Sequence, residues 1–324
     1  KYYTNKMMRF VIILVVLISY KASSQDVHFS QFYETKALIN PALAGYQDGD
    51  YKVQMHRKSQ WESVSIPFNT FSIAFEAKEF VKDISIGIQF LNDISGDSKF
   101  RTNGINIVVA KKIGVNSINN ISVGFLLGSY QRSIDFSTLV FNDNEIIPNQ
   151  NINFMDLGIG IVHEFEINSK TTLHSGISAF HLNKPNQSLL GSNNIQLPVN
   201  SKAYASLIYY YNSYFQIKPS LYSAVQGESN EFICGTDFNY LLTNSSTETL
   251  VLRAGIFNRN KDAIITKFGI KIDNFDTMVS YDINTSSLNS ASNSRGGFEF
   301  SVSYQWSVSK PVKSQEIKVC PKYL

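Results

Sequence analysis

Cysteine is nearly absent from this 324-residue chain, which contains only Cys234 and Cys320. Two cysteines in an exported chain can pair, but Cys234 lies inside an alternating stretch and Cys320 in a terminal tail, and the sequence does not bring them within bonding distance. Histidine is also scarce: His28, His56, His163, His174 and His181 are all there are. No HExxH, CxxC or His/carboxylate spacing accompanies them, so neither metal nor cofactor chemistry has support. Charged residues make up 17%, below the roughly 25% of ordinary soluble domains. Mean hydropathy is near zero. No internal apolar run reaches the about 18 residues a spanning helix needs, which leaves a barrel of alternating strands as the only membrane-spanning form open to the chain.

The single continuous apolar run, FVIILVVLISY at 10–20, follows Lys6 and Arg9 and precedes Ala22 and Ser24. A basic flank, a short apolar segment and small residues before a cut predict a secretory signal peptide over 1–24, with Gln25 as the new N-terminus. Eleven residues are too few for an anchor helix, and no cysteine follows the cut to carry a lipid. Four of the 29 basic residues (Lys1, Lys6, Arg9 and Lys21) lie ahead of the cut, leaving 25 basic against 26 acidic residues. That balance offers no basic patch for nucleic acid.

What is abundant is period-2 alternation. In GGFEFSVSYQWS, Phe298, Phe300, Val302, Tyr304 and Trp306 fall on every second residue, with Glu299, Ser301, Ser303 and Gln305 between them. That spacing sets one apolar and one polar face on a strand. Similar alternation predicts about fourteen strands, near 51–58, 68–77, 83–92, 100–112, 119–130, 153–165, 170–182, 200–211, 214–226, 230–241, 248–258, 263–273, 275–284 and 296–307. Long links such as 131–152, 183–199 and 285–295 are expected to alternate with short ones such as 78–82, 113–118 and 212–213 all along the chain. Long outer loops and tight periplasmic turns are the pattern of an outer-membrane barrel. The expected fold class is therefore all-β, a transmembrane barrel of about fourteen antiparallel strands. Residues 25–50 form a periplasmic or plug-like segment, 51–307 the barrel and 308–324 a periplasmic tail.

The face carrying glycines and charges is assigned to the lumen. Asp156, Glu164, Asp237, Arg253, Lys267, Lys271, Asp282 and Glu299 carry both signs there, which suits cross-lumen bracing better than a selective ring. The apolar face meets lipid, with Tyr304 and Trp306 near the interface belt. His174-Ser175 is read as a polar pair near a strand end, because adjacency does not make a triad. Asn40-Pro41-Ala42 is a turn signal. Turn chemistry favours a lead into the first strand; the other reading folds 25–46 into or under the periplasmic mouth, anchored by Phe29, Phe32 and Tyr33. Trp61 is placed at the rim, as a belt residue or a partner contact.

Three stretches together resemble the PorP/SprF family of type IX secretion membrane proteins from Bacteroidetes: QDVHFSQFYETKALINPALAGY (25–46), HRKSQWESVSIPFNTFSIAF (56–75), and YDINTSSLNSASNSRGGFEFSVSYQW with the KVCPKYL tail. Asp26, Phe29, Ser30, Gln31, Asn40, Pro41, Ala42, Ala44 and Gly45 match the first motif. Arg57, Gln60, Trp61, Val64 and Pro67 match the second, and Gly297, Phe298, Glu299, Ser301, Ser303, Tyr304, Cys320 and Pro321 the third. Val27, Ile39 and His56 depart from the pattern, and leave the branch of the family open.

The resemblance implies a non-enzymatic, cofactor-free outer-membrane barrel that helps secrete or attach cargo, such as gliding-motility adhesins with a type B C-terminal domain. Its implied partners are that cargo, other type IX components and outer-membrane lipid. The alternative is a porin or transporter of small apolar molecules. A soluble secreted adhesin domain is the third reading.

Overall fold

The computed structural model describes residues 26–60, 67–96, 98–137, 150–189, 195–244, 248–286 and 295–308. Alternation translates directly into strands: β1 Tyr51–Gln60, β2 Phe68–Val81, β3 Ile84–Ser95, β4 Phe100–Gly114, β5 Asn119–Ile134, β6 Gln150–Asn168, β7 Thr171–Phe180, β8 Asn200–Tyr210, β9 Phe215–Gln226, β10 Ser229–Asn244, β11 Thr249–Arg259, β12 Ala263–Ile272, β13 Phe275–Asn284 and β14 Arg295–Trp306. Each pairs antiparallel with its neighbours, and β1 closes on β14, from Tyr51 opposite Trp306 to Gln60 opposite Gly297. Closure removes the unpaired edge that lipid could not satisfy. All fourteen expected strands are present, several running past their expected ends.

Exposure alternates with register. Ile88, Phe90, Ile105, Ile107, Phe125, Leu127, Phe268 and Phe300 face outward, while Gln89, Asn106, Lys267, Glu299 and Ser301 between or beside them are buried inside. Aromatic rings gather at one end of the outer surface. Tyr304 and Tyr51 stack on Trp306 at 5.8 and 5.5 Å, and Tyr209 and Tyr211 are exposed near the β8–β9 turn. Such girdles mark the membrane–water boundary.

The expected alternation of link lengths holds only in part. Segments 135–149, 181–199 and 285–294 separate strands at one end of the barrel, but 227–228 and 260–262 at that same end are tight turns. Gly227 (φ 58°) and Lys261 (φ 60°) adopt the left-handed backbone that a compact hairpin requires. At the opposite end the links, such as 82–83, 169–170 and 273–274, are uniformly short.

Residues 26–50 run lengthwise through the lumen. Asp26 meets His181, Asn200 and Gln226 at the long-link end, and Asp50 meets Lys78, Ser307 and Val308 at the short-link end. This segment has no period because it is built from short turns, the 3-10 turns Phe32–Glu34 and Pro41–Leu43 and one α-helical turn, Lys36–Ile39. Its apolar side chains form the core of the molecule. Phe32, Ile39, Ala42 and Leu43 pack on Val162, Tyr204, Tyr222, Ile233, Phe257 and Ile265 of the wall. Burying a ring such as Phe32 contributes about 2 kcal/mol. It stacks on Tyr222 at 5.0 Å and meets Phe257 edge-on at 6.0 Å.

Candidate functional site

The site is the contact between this plug and the barrel wall. Its centre is Asn40-Pro41-Ala42. Pro41 starts a 3-10 turn, and the Asn40 side chain caps it by accepting the Ala42 N–H at 2.9 Å. The other face of that amide donates to the backbone carbonyls of Ile161 and Ile177 at 3.0 and 2.9 Å. These carbonyls belong to a cross-strand pair on β6 and β7, so one side chain grips two wall strands. The notch is cut by glycine. A Cβ on Gly124 would collide with the Ala42 backbone, one on Gly160 with the Asn40 amide, and one on Gly176 would stand 2.9 Å from Asn40 Nδ2. Of the two placements open to Asn40-Pro41-Ala42, the turn is present, but it sits inside the barrel and not at the entry to β1.

A second grip is electrostatic. Glu299 of β14 is fully buried and accepts the backbone N–H groups of Ser30 at 2.6 Å and Gln31 at 2.9 Å. Lys58 and His56 of β1 lie 3.1 and 3.3 Å from the same carboxylate. The Gln31 amide donates to Ser280 and to the Glu299 carbonyl, and accepts from Ser301 at 2.7 Å. Ser30 donates to Asp282, which also pairs with Arg259 at 2.5 Å. Phe29 covers this cluster with its ring centroid 4.4 Å from that of His56. Buried charges of this kind are tolerated only when paired and hydrogen-bonded.

Further along, Glu34 pairs with Arg253 at 3.2 Å and Lys52 at 3.9 Å. Gly45 takes φ 76°, and its N–H donates to Glu76 at 3.0 Å. Near the short-link end, the Tyr46 hydroxyl donates to Glu164 and lies 3.0 Å from His174. At the other end His181, just past β7, lies 2.9 Å from Asp156 and 2.5 Å from Asp26. Burial lowers its pKa, but the bonds and charges of the two aspartates prevail and raise it to about 9. Burial likewise opposes ionisation of Asp26, yet His181, Lys202 and Asn200 hold its carboxyl well below the normal value.

The structure thus gathers Phe29, Gln31, Asn40, Pro41, Ala42, Gly45 and Glu299 into one interface, with Gln60 and Gly297 opposite each other at the end of the β1–β14 seam. It does not bring Arg57 or Phe298 there, since both point outward from the barrel. Trp61, Cys320 and Pro321 lie outside the described residues, as do the signal segment and 309–324. The lumenal charges brace the barrel from wall to wall, as in Lys267–Asp237 at 2.7 Å, Arg253–Asp276 at 2.6 Å and Lys58–Glu299 at 3.1 Å, and Glu299, Asp282, Arg253, Glu164 and Lys271 contact the plug as well. His56, Lys58, Arg259 and His181 were not singled out beforehand, because their partners lie far off in the chain. Among the described residues no group of three or more His, Cys, Asp or Glu is placed to hold a metal ion.

A closed fourteen-stranded barrel with amphipathic walls and a docked N-terminal plug defines the class: an outer-membrane β-barrel protein. Over residues 21–304 the chain matches the model of the type IX secretion system membrane protein PorP/SprF, and it belongs to that family. No curated protein matches it. Among solved structures it is similar to the Ralstonia pickettii toluene transporter TbuX, with 9% identity, TM-score 0.52, and 82% of this chain and 91% of that one covered. The Pseudomonas putida toluene transporter TodX aligns with 9% identity and TM-score 0.51, covering 87% and 93%. At such identity these likenesses concern the fold alone.

Proposed function

We propose that this barrel serves type IX secretion by holding partner proteins rather than by conducting solutes. The observation that carries the reading is the filled lumen: residues 26–50 occupy it along its length, fixed by a buried carboxylate, an asparagine wedge and an apolar core. A barrel so occupied acts through its surfaces and mouths. Family membership supplies the context, and cargo is the partner class we assign. In this reading the cargo is a secreted adhesin with a type B C-terminal domain, to be exported or anchored at the cell surface in gliding motility. The role is non-catalytic. Cleavage before Gln25 by signal peptidase and insertion into the outer membrane with the long links outside complete the proposal.

The test is affinity purification of the full-length protein from its native outer membrane, with identification of co-purifying proteins. Recovery of a secreted adhesin and of type IX components supports the reading. Recovery of neither, together with steady single-channel conductance of the purified barrel, would favour the rival role in small-molecule passage. Deleting residues 310–324 asks in addition whether the tail docks a periplasmic component. In that case the barrel inserts normally but cargo display is lost, and normal display makes the tail a mere end.

A further inference from the structure

Most cations of the lumenal wall around the plug have a carboxylate at hand: Lys58 with Glu299, Arg253 with Asp276, Arg259 with Asp282, Lys267 with Asp237. Lys202 and Lys218 lie instead over the rings of Phe180 and Tyr33, and Lys202 also donates to the Leu38 carbonyl. Arg132 also lacks a carboxylate. It lies on the inward face of β5 in the long-link half of the barrel, half-buried, and no carboxylate comes within 4.0 Å of it among the described residues. Its Nε donates to Thr102 at 3.2 Å and its Nη1 to Gln187. Both acceptors are neutral, and Nη2 has no hydrogen-bond partner among the described residues. The guanidinium is held in place as well: the rings of Phe100 and Phe154 each lie 5.5 Å from Cζ, and Phe154 is itself stacked on Tyr130 at 5.4 Å.

This fixed cation borders a cavity of about 360 Å³ beside the plug, whose apolar lining includes Leu91, Phe100, Leu126 and Phe180. Lys202 lines it too, as do three carboxylates that are already engaged, Asp26 and Asp156 by His181 and Asp93 by the Thr70 and Ser95 hydroxyls. The volume falls within the range of small-ligand sites, roughly 300–1,000 Å³. The cation leaves donors free for the two oxygens of a carboxylate, and the walls offer an apolar body its burial. A solvated void would gain nothing from immobilising a guanidinium against two phenyl rings. We propose that this cavity is a binding site for a carboxylate with an apolar body, its anionic end on Arg132 and its apolar end against Leu91, Leu126 and Phe180. Such a group occurs on a free small acid and at the C-terminus of a polypeptide ending in an apolar residue. The site borders the plug at Asp26, Val27, His28 and Leu38, and it does not depend on the secretion role proposed above.

The experiment uses the full chain, purified in detergent, and four probes followed by isothermal titration: 3-phenylpropanoate, 3-phenylpropan-1-ol, and a pentapeptide ending in phenylalanine as its free acid and as its C-terminal amide. Charge-assisted bonds to the guanidinium should make each acid bind about tenfold or more tightly than its neutral counterpart. Arg132→Gln should erase that difference, while Arg101→Gln, on the outward face of β4, should leave it intact. If the peptide acid binds more tightly than 3-phenylpropanoate, the natural ligand class is a chain end; if it does not, it is a small acid. Acids binding no better than their neutral counterparts would overturn the proposal, as would full acid binding by a folded Arg132→Gln barrel. The wild-type comparison decides the matter even if that variant does not fold.

Discussion

Glu299 accepts the backbone N–H of Ser30 at 2.6 Å across 269 positions of sequence, so the last strand of the barrel holds the N-terminal part of the plug. Removing that carboxylate leaves Lys58 a buried cation with no opposite charge beside it, its ammonium donating only to the His28 carbonyl at 2.9 Å. For Glu299→Ala the expected cost is about 3–5 kcal/mol, the usual penalty for stripping one member from a buried pair. It should fall on plug docking before barrel integrity. Trypsin cleavage after Lys36, half-buried and enclosed in the lumen of the native protein, reports it, with heat-modifiable gel migration to monitor the barrel.

Gly160→Ala and Gly124→Ala test the asparagine wedge. Neither site has room for a methyl group without moving the Asn40 turn. Overpacking of this kind costs about 1–3 kcal/mol. Raised single-channel conductance with unchanged strand content by circular dichroism is the expected result. Channels as quiet as wild type would show that the plug adapts and the notch is not required.

Facing is tested on β14 itself. Phe300 points outward near the middle of the strand, and arginine there should cost about 2–4 kcal/mol in urea unfolding from liposomes if it lies near the bilayer midplane. Arginine at Gly269, on the lumenal face beside outward Ile270, should clash with Met278 instead and leave lipid insertion unaffected. Equal tolerance of arginine at Ile270 and Gly269 would contradict the assignment of faces.

The Asp26–His181–Asp156 cluster gives plug docking a pH dependence. The folded pKa of His181, about 9, lies above the unfolded value of roughly 6.5. Its contribution is therefore complete below about pH 6.5 and is lost as pH rises through about 9. The Asp26 pKa is depressed, so its contribution is present above its unfolded value of roughly 4 and is lost only on strong acidification. The N-terminal end of the plug should be held best between about pH 4 and 6.5. Hydrogen exchange at residues 27–31 should quicken between pH 7 and 9 beyond the intrinsic rise, and His181→Gln should flatten that excess. An unchanged excess in His181→Gln would remove the cluster from the account.

The barrel was legible in the sequence because a half-buried strand writes its facing into every second residue. Phe298 to Trp306 show it, and so do Ile84 to Phe90. The plug was legible only as a lack of period, since turns of three or four residues leave no repeat. Asn40-Pro41 announced a turn without saying what it would turn against. The wall glycines showed crowding, but not that Gly124, Gly160 and Gly176, on three successive strands, meet around one amide. Pairs such as Arg259–Asp282 and His181–Asp26 depend on register and on a crossing of the lumen that no local pattern encodes. Tight turns at 227–228 and 260–262 were already implied by strands ending near 226 and 258 and restarting near 230 and 263, and the parity drawn from the long links passed over them.

The plug threads the barrel from Asp26 at one mouth to Asp50 at the other, and the strand that follows it forms the seam with β14. A segment lying along the axis cannot be gripped by a wall that has not yet curled round it. Ser30 and Gln31 must wait for Glu299, which is synthesised 269 residues after Ser30. Sealing the cylinder and seating its contents are therefore one event in the biogenesis of this protein, late and governed by contacts of very high sequence separation. Such contacts fold slowly, so an outer-membrane assembly factor would encounter an open, unplugged sheet as its long-lived intermediate.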